Sequence, residues 1–305
     1  MSVTAVITHI SRTSLHDGPG VRTVVYFKGC GLRCRWCHNP ETLSPLPEIL
    51  YTPQKCIRCG RCVELCPEHH RVEGNAMVFH REGCSRCGRC AEVCPSEALT
   101  TAGRQYTVEE LLAEVQKDRH YYIQSGGGIT LSGGECLLQA AFCRELLAAC
   151  RADGIHTAVE TALQVPFEAV ETVLPVTDLF LADCKIPDPE KHRRYTGQDN
   201  RRILANLARL VEVAPGRVTV RIPLIPGVND TAEDMAGFAR VLAPMAVSLT
   251  GIELLPYNHL AAGKYAAAGR DYADFGLPQS AETRKTLCAT LQAALGGAVA
   301  VYTES

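Results

Sequence analysis

The chain has 305 residues, 46% of them hydrophobic, with 31 basic and 33 acidic side chains for a net charge of −2. That length can bury a substantial core, as one large α/β domain or as two domains. The near-neutral balance offers no basic footprint for nucleic acid and no polybasic patch for a membrane, and no apolar run approaches the ~20 residues that cross a bilayer. The N-terminal stretch Met1–Ile10 lacks the charged start and cleavage site of a secretory signal. Sixteen cysteines would imply disulfides in a small secreted chain, but here they cluster at metal-ligand spacings. A reducing, cytoplasmic location is therefore expected.

The first predicted strand covers 21–28, around Val21-Arg-Thr-Val-Val-Tyr-Phe27. Cys30, Cys34 and Cys37 follow it in the order C-x3-C-x2-C. Three thiolates are one short of closing a [4Fe-4S] cube. An iron without a protein ligand is open to a substrate, as the vacant position of a catalytic metal site is. The loop Gly29–Asn39 thus reads as a cluster built for chemistry. The alternatives are a zinc site or three unrelated core thiols. Zinc wants a fourth Cys or His in register, and His38 directly abuts Cys37, which is poor ligand spacing. Trp36, the only tryptophan, either stacks on a heteroaromatic ring or packs over the cluster.

Residues 56–95 contain one pattern twice: Cys56-x2-Cys59-x2-Cys62-x3-Cys66-Pro67, then Cys84-x2-Cys87-x2-Cys90-x3-Cys94-Pro95. This is the bacterial two-cluster ferredoxin run, in which the fourth Cys of each copy ligates the other cluster. One [4Fe-4S] cluster is assigned to Cys56, Cys59, Cys62 and Cys94, the second to Cys84, Cys87, Cys90 and Cys66. Cluster bonds substitute for apolar burial in such a module. Pro45-Leu-Pro47 and Pro53 before it, and Thr100-Thr-Ala-Gly103 after it, mark its edges. The expected division is a ferredoxin-like insert at 52–100 within a barrel domain formed by 1–51 and 101–305. Both insert clusters are coordinatively closed, which suits electron transfer.

Beyond the insert, a helix is predicted near 107–119, opened by Thr107-Val-Glu-Glu110 with an N-cap threonine and Glu three positions on. Strands near 129–132, 155–160, 178–183, 217–223 and 251–256 alternate with helices near 137–152, 166–173, 200–213, 231–243 and 280–295. Alternation with short connections predicts βαβ units and a parallel sheet. With the first strand this makes six, a partial (β/α)6 TIM-type barrel with an open side. Polar or glycine-rich residues gather at the C-terminal strand ends, the face that carries active sites in β/α barrels.

At that mouth, Ser132-Gly-Gly-Glu135 offers open backbone and a carboxylate for a ligand bearing an ammonium group; a tight turn with a solvent Glu is the alternative. Glu160 and Asp183 either share a cation or form a carboxylate–lysine network with Lys185. Arg221 either binds a carboxylate or pairs with Asp183. Cys136, Cys143 and Cys150 recur every seven residues and, with Cys184 and Cys288, read as small core hydrophobes rather than ligands.

Cys30-x3-Cys34-x2-Cys37 with an aromatic before the last Cys resembles the radical S-adenosylmethionine (SAM) superfamily. The stretches Thr13-Ser-Leu-His-Asp-Gly-Pro-Gly-Val-Arg-Thr23 and Cys37-His-Asn-Pro40 look like the glycyl-radical enzyme activating enzymes in particular. Ser132-Gly-Gly-Glu135, Asp183-x-Lys185 with His192, and Pro226-Gly-Val-Asn-Asp230 fit the same family. The double insert is similar to the subgroup that serves diol dehydratases and choline lyase, and unlike pyruvate formate-lyase activase. The resemblance implies that SAM chelates the open iron. Trp36, Cys37 and His38 would lie along the adenine, and Gly133, Gly134 and Glu135 would hold the methionine ammonium. Asp183, Lys185 and Arg221 would line the rest of the pocket. Glu160 and Asp183 match a monovalent-cation site, and Asp17 and Gly18 would face an incoming glycyl loop. The chain departs from the family at Cys136, where Pro is frequent, and at Pro256-Tyr-Asn258, where Pro-Tyr-His is frequent; either Asn258 or His259 takes that contact.

The implied activity is reductive cleavage of SAM to a 5′-deoxyadenosyl radical, which removes a hydrogen from a glycine of a partner enzyme. The implied partners are a glycyl-radical enzyme and a low-potential flavodoxin- or ferredoxin-type donor, and the cofactors are SAM, three [4Fe-4S] clusters and a monovalent cation. A radical SAM enzyme acting on a small molecule or peptide is the runner-up, and a non-catalytic ferredoxin-type carrier is the reading from another class. The open three-cysteine cluster argues against the carrier, which has no use for a vacant iron.

Overall fold

The computed structural model describes residues 3–303. The chain opens with β1 (Thr4–Ser14), which turns back antiparallel onto β2 (Arg22–Phe27). A cysteine-rich segment of short elements follows: β3 (Glu48–Tyr51), α1 (Arg61–Leu65), β4 (His70–Glu73), β5 (Ala76–Phe79), α2 (Arg89–Glu92) and β6 (Leu99–Ala102). After β7 (Arg104–Thr107) come α3 (Val108–Gln116), α4 (Arg119–Ser125), β8 (Gly128–Gly133), α5 (Ala140–Ala152), β9 (His156–Thr161) and α6 (Phe167–Val173). The second half continues with β10 (Leu179–Asp183), α7 (Pro189–Thr196), α8 (Arg201–Val213), β11 (Val218–Pro223), α9 (Ala232–Leu242) and β12 (Gly251–Leu255). It ends with α10 (Ala262–Ala268), α11 (Ala281–Ala294) and β13 (Val301–Thr303).

Among the described residues nine strands form one sheet, in the order β13-β12-β11-β10-β9-β8-β2-β1-β7. Strands β2 and β8 to β13 run parallel, and β1 and β7 extend one edge antiparallel. The expected strands are all present and neighbour one another in chain order. The sheet ends at β7 and β13 without closing on itself, an α/β half-barrel. Its parallel strands read as near-continuous apolar runs because helices cover them: Val24, Val25, Ile129, Leu131, Val159, Phe180, Val220, Ile252 and Leu254 are buried. The helices answer with apolar faces, as in α8, where Ile203, Leu207, Leu210 and Val211 face inward at helical spacing. Each such side chain stabilises the fold by roughly 1.5–3 kcal/mol.

The capping box at the start of α3 is formed, with Glu110 N donating to Thr107 Oγ1 (3.2 Å) and Thr107 N to the Glu110 carboxylate (2.9 Å). The cysteines set aside as core residues lie there: Cys136, Cys143, Cys150, Cys184 and Cys288 belong to the main hydrophobic core. Cys136 sits in a 3-10 turn before α5 rather than on the helix itself. Helix α7 lies outside the sequence expectation, although Asp188-Pro189 is a start signal: the Asp188 carboxylate accepts from Lys191 N at 2.6 Å. Strand β13, of three residues, and α10, rich in alanine, carry too little periodicity to be predicted. No helix of the described residues is long and apolar enough to cross a membrane.

Strands β3 and β6 pair antiparallel and bracket the cysteine repeats, while β4 and β5 form a hairpin between them. The two repeats fold alike. Arg58 and Arg86 take φ of 57° and 59°, and Gly60 and Gly88 precede α1 and α2 with φ of 80° and 83°. Ile49, Cys62, Met77, Cys90 and Leu99 form a small core of their own. Arg81 donates to Ile49 O (2.5 Å) within the segment and ties it to α10 through Ala267 O (2.6 Å).

Candidate active site

The C-terminal ends of β2 and β8 to β12 surround a cavity of about 770 Å³, within the range of small-molecule sites. Cys30, Cys34 and Cys37 are on its wall with Trp36 and His38. Gly133 and Gly134 enter from β8, Glu160 from β9, Asp183 and Lys185 from β10, and Arg221 from β11. Asn258 and His259, after β12, both reach the wall, and so does Asp17.

The cysteine loop is held by backbone hydrogen bonds on three sides. Gly29 N donates to Thr42 O (2.7 Å), Arg33 N to Thr196 O (2.7 Å) and Arg35 N to Tyr195 O (2.9 Å). From β8, Gly134 N reaches Phe27 O (3.0 Å) and Glu135 N reaches Gly29 O (2.7 Å). The two glycines are required by this clamp. A Cβ on Gly134 would lie 2.3 Å from Gly29 O, and one on Gly133, at φ +120°, 2.2 Å from Phe27 N. The motif therefore seats the cysteine loop as well as leaving backbone open to a ligand.

Burial pushes the Cys34 thiol up to about 12 and Cys37 to about 11, and raises Cys30 as well. Thiols so placed keep their protons until a metal takes the proton's place. Three soft donors on one cavity wall, with Lys185 beside Cys34 to offset negative charge, fit an iron–sulfur cluster.

Beside the cysteines lies a buried ionic network. Arg221 Nη1 donates to Glu160 (2.8 Å) and Nε to Glu253 (2.9 Å), while Nη2 binds His16 O. Asp17 stands 3.8 Å from the same guanidinium. Glu160 also accepts from the Ser132 hydroxyl, and Lys185 pairs with Asp183. Arg221 thus pairs with Glu160 and Glu253, not with Asp183 as one sequence reading had it. Burial alone would raise Glu160, but Arg221 and Ser132 outweigh it and hold the carboxyl below its ordinary value. Asp183 and Asp17 are both raised, chiefly by burial. Burial would lower Lys185, yet Asp183 and Cys34 outweigh that and keep it cationic.

The family model of the radical SAM superfamily matches residues 24–239. The chain belongs to the radical SAM superfamily. It is 41% identical over 276 residues to the (2S)-3-sulfopropanediol dehydratase activating enzyme of Klebsiella oxytoca, covering 88% of this chain and 86% of that one. It is 43% identical over 280 residues to the choline trimethylamine-lyase activating enzyme of Oleidesulfovibrio alaskensis, covering 90% of each. Among solved structures, Streptococcus suis SuiB bound to its precursor peptide SuiA shares the fold, with a TM-score of 0.54 at 12% identity over 92% of this chain and 48% of that one. As a member of this superfamily the protein uses a [4Fe-4S] cluster and SAM.

Glu135, expected to hold the methionine ammonium, and Gly18, expected to face a glycyl loop, are not on the cavity wall. Glu135 is buried behind it, where its carboxylate accepts from Thr161 Oγ1 (2.8 Å), Ala162 N (3.0 Å) and Leu137 N (3.3 Å). Its backbone, not its carboxylate, is turned to the cysteine loop. Gly18 packs on the Arg22 side chain at φ +118°. Arg22 itself is fully buried, donating to Thr130 Oγ1 (2.6 Å) and Pro19 O (3.2 Å), and Thr130 in turn donates to Asp17 O (2.6 Å). Arg22 and Arg221 together pin the His16–Pro19 loop inside the half-barrel, a role that no local sequence signal marks.

Burial raises Glu135 from an ordinary 4.5 to about 7. Its folded pKa exceeds its unfolded one, so its contribution to stability is full below about pH 4.5 and is lost as pH rises through about 7. Glu135→Gln removes this titration. The stability of the wild type relative to the variant should fall by on the order of 3 kcal/mol across that window. Denaturant unfolding at several pH values measures it, and a pH-independent difference would contradict the assignment.

Sequence reasoning also missed the supports of the segment after Cys37. The buried Lys28 donates to Glu41 O (2.5 Å) and Glu48 (3.1 Å). Lys264 reaches Asn39 Oδ1 (2.8 Å) and His38 O (3.2 Å), and Arg270 reaches Pro40 O and Glu48, each at 2.8 Å. Lys264 and Arg270 lie more than two hundred residues away in sequence, beyond the range of any local pattern. Trp36 packs with Ile186, Ile225, Val228 and Tyr257 while also facing the cavity.

In the cysteine-rich segment, Cys56, Cys59, Cys62 and Cys94 line one small cavity. Cys84 and Cys87 stand beside Cys90, and Arg89 feels both Cys87 and Cys66. Among the described residues no group of three or more His, Cys, Asp or Glu side chains is set to hold a metal ion. Cys94 of the second repeat thus lies with Cys56, Cys59 and Cys62 of the first around that cavity.

Proposed function

We propose that this radical SAM protein activates a glycyl-radical enzyme of the diol dehydratase or choline lyase kind. The observation that carries the reading is the trio Cys30, Cys34 and Cys37 on the wall of a cavity large enough for SAM and a peptide segment, in a chain whose relatives at 41% and 43% identity are named activating enzymes. Held by Cys30, Cys34 and Cys37, the cluster would supply the electron for reductive cleavage of SAM, the radical chemistry that would take a hydrogen from a partner's glycine.

The chain's residues bind, orient and keep the site dry. Trp36, Cys37 and His38 take the adenine side, with Asn258 or His259 opposite. The Gly133 and Gly134 backbone, fixed by Glu135 behind it, receives the methionine end. Lys185, kept cationic by Asp183, attracts the SAM carboxylate, and Arg221 holds Glu160 and the His16–Asp17 backbone in place. A monovalent cation between Glu160 and Asp183 would join this network. Asp17 and Gly18 lie on the loop offered to the incoming glycyl segment. Tyr195, Tyr257 and Phe275 around Trp36 exclude water from one side.

Residues 52–100 form, in this reading, a ferredoxin-like module with two further [4Fe-4S] clusters that pass electrons inward from a low-potential flavodoxin- or ferredoxin-type donor. Cys59→Ser or Cys87→Ser is expected to lower iron content by about four atoms per chain while SAM cleavage with a chemical reductant persists. A full iron complement in either variant would overturn the ligand sets. The function itself is tested by incubating the reduced protein and SAM with candidate glycyl-radical enzymes. A glycyl-radical EPR signal on the partner supports it, whereas product formation without any such partner would favour a small-molecule or peptide substrate.

A further inference from the structure

The Tyr265 hydroxyl is buried and has no hydrogen-bond partner among the described residues. Tyr265 lies on α10, is 5% exposed, and is not part of the cavity wall. A hydroxyl in such a place costs free energy unless something accepts its hydrogen bond. Its surroundings identify what is missing. The preceding residue, Lys264, is bonded to His38 O and Asn39, directly after Cys37, and Arg270 beyond the helix is bonded to Pro40 O. Helix α10 is also tied to the cysteine-rich segment, through Arg81 and Ala267 O. Tyr265 therefore lies on a helix tied both to the segment just after Cys37 and to the cysteine-rich segment, off the cavity wall. A phenol is protonated at neutral pH and has a hydrogen to donate. The nearby Tyr272, stacked edge-on at 5.3 Å, is already satisfied by Tyr257 OH (3.0 Å) and His259 O (3.2 Å).

We propose that Tyr265 is a positioning residue whose hydroxyl donates a hydrogen bond to sulfur on the Cys37–Cys34 side of the [4Fe-4S] cluster and raises its reduction potential. The inference rests on the proposed function, which places a cluster on these cysteines. A donor to cluster sulfur favours the more negative, reduced state. It makes the one-electron reduction that precedes SAM cleavage easier for whatever carrier supplies the electron. Tyr265 would do this without touching SAM, from the side where the cysteine-rich segment packs.

The test is a potentiometric titration of the full chain with its clusters reconstituted, following the EPR signal that changes when SAM is added. Tyr265→Phe keeps the ring and its packing. Its iron content should match the wild type, while the reduced-to-oxidised ratio at a fixed poise should fall about tenfold, or about 59 mV for a one-electron couple. Tyr272→Phe should leave the midpoint in place. An unshifted midpoint in Tyr265→Phe overturns the inference. So does an equal fall in both variants, which would report loosened packing instead. A wild-type signal that does not respond to SAM overturns the proposed function, and this inference with it.

Discussion

Cys34→Ala is expected to abolish 5′-deoxyadenosine release from SAM, bringing it to background, while the protein stays folded. Cys34 lies on the cavity wall between the other two cysteines of the loop, with burial and then Lys185 as the main influences on its thiol. With two cysteines left, the loop cannot hold a cube that needs three protein ligands to leave one iron open. The loop itself should survive, because its supports are the bonds from Gly29, Arg33, Arg35 and Glu135, none of which uses the Cys34 side chain. Iron content should fall by about four atoms, and the SAM-responsive EPR signal should vanish. Retained cleavage in this variant would sink the assignment of the site.

Arg221→Met is expected to destabilise the fold by about 3–5 kcal/mol, the range for removing one partner of a buried ion pair. Arg221 bridges Glu160 and Glu253 and also holds His16 O, so its loss leaves two carboxylates near each other without the guanidinium between them. Burial also raises Asp17, whose carboxylate stands 3.8 Å from the same group. The His16–Asp17 loop should loosen, and the fraction that remains folded should show a higher KM for the protein partner. Arg221→Lys should recover only part of the stability, because an ammonium cannot satisfy several acceptors in one plane. Chemical denaturation measures the stability change; a loss under about 1 kcal/mol would contradict the ionic account.

Much of this was legible in the chain because the signals were local. The C-x3-C-x2-C loop follows a strand by a few residues, and the strand ends with Glu160, Asp183 and Arg221 are each short patterns that a parallel sheet brings to one mouth. The cysteine repeats likewise carry their own loop geometry, down to the positive φ of Arg58 and Arg86. What was not legible depends on contacts between distant segments. The pairing of Arg221 with Glu160 rather than Asp183 follows from where side chains from neighbouring strands meet, which strand identity alone does not decide. Gly133 and Gly134 looked like ligand contacts, yet their lack of a Cβ is first demanded by Phe27 and Gly29. Glu135 looked exposed to a ligand, yet Thr161 draws its carboxylate away. Lys28, Lys264, Arg270 and Tyr265 gave no local signal at all.

The open cluster proposed at Cys30, Cys34 and Cys37 should cleave SAM reductively. The direct measurement is 5′-deoxyadenosine release from SAM by the anaerobically reconstituted, chemically reduced protein, with cluster occupancy confirmed by iron content. Release that disappears in Cys34→Ala is the predicted result. Intact SAM in the fully loaded wild type, both alone and with candidate glycyl-radical partners, would contradict it and leave an electron carrier as the better description.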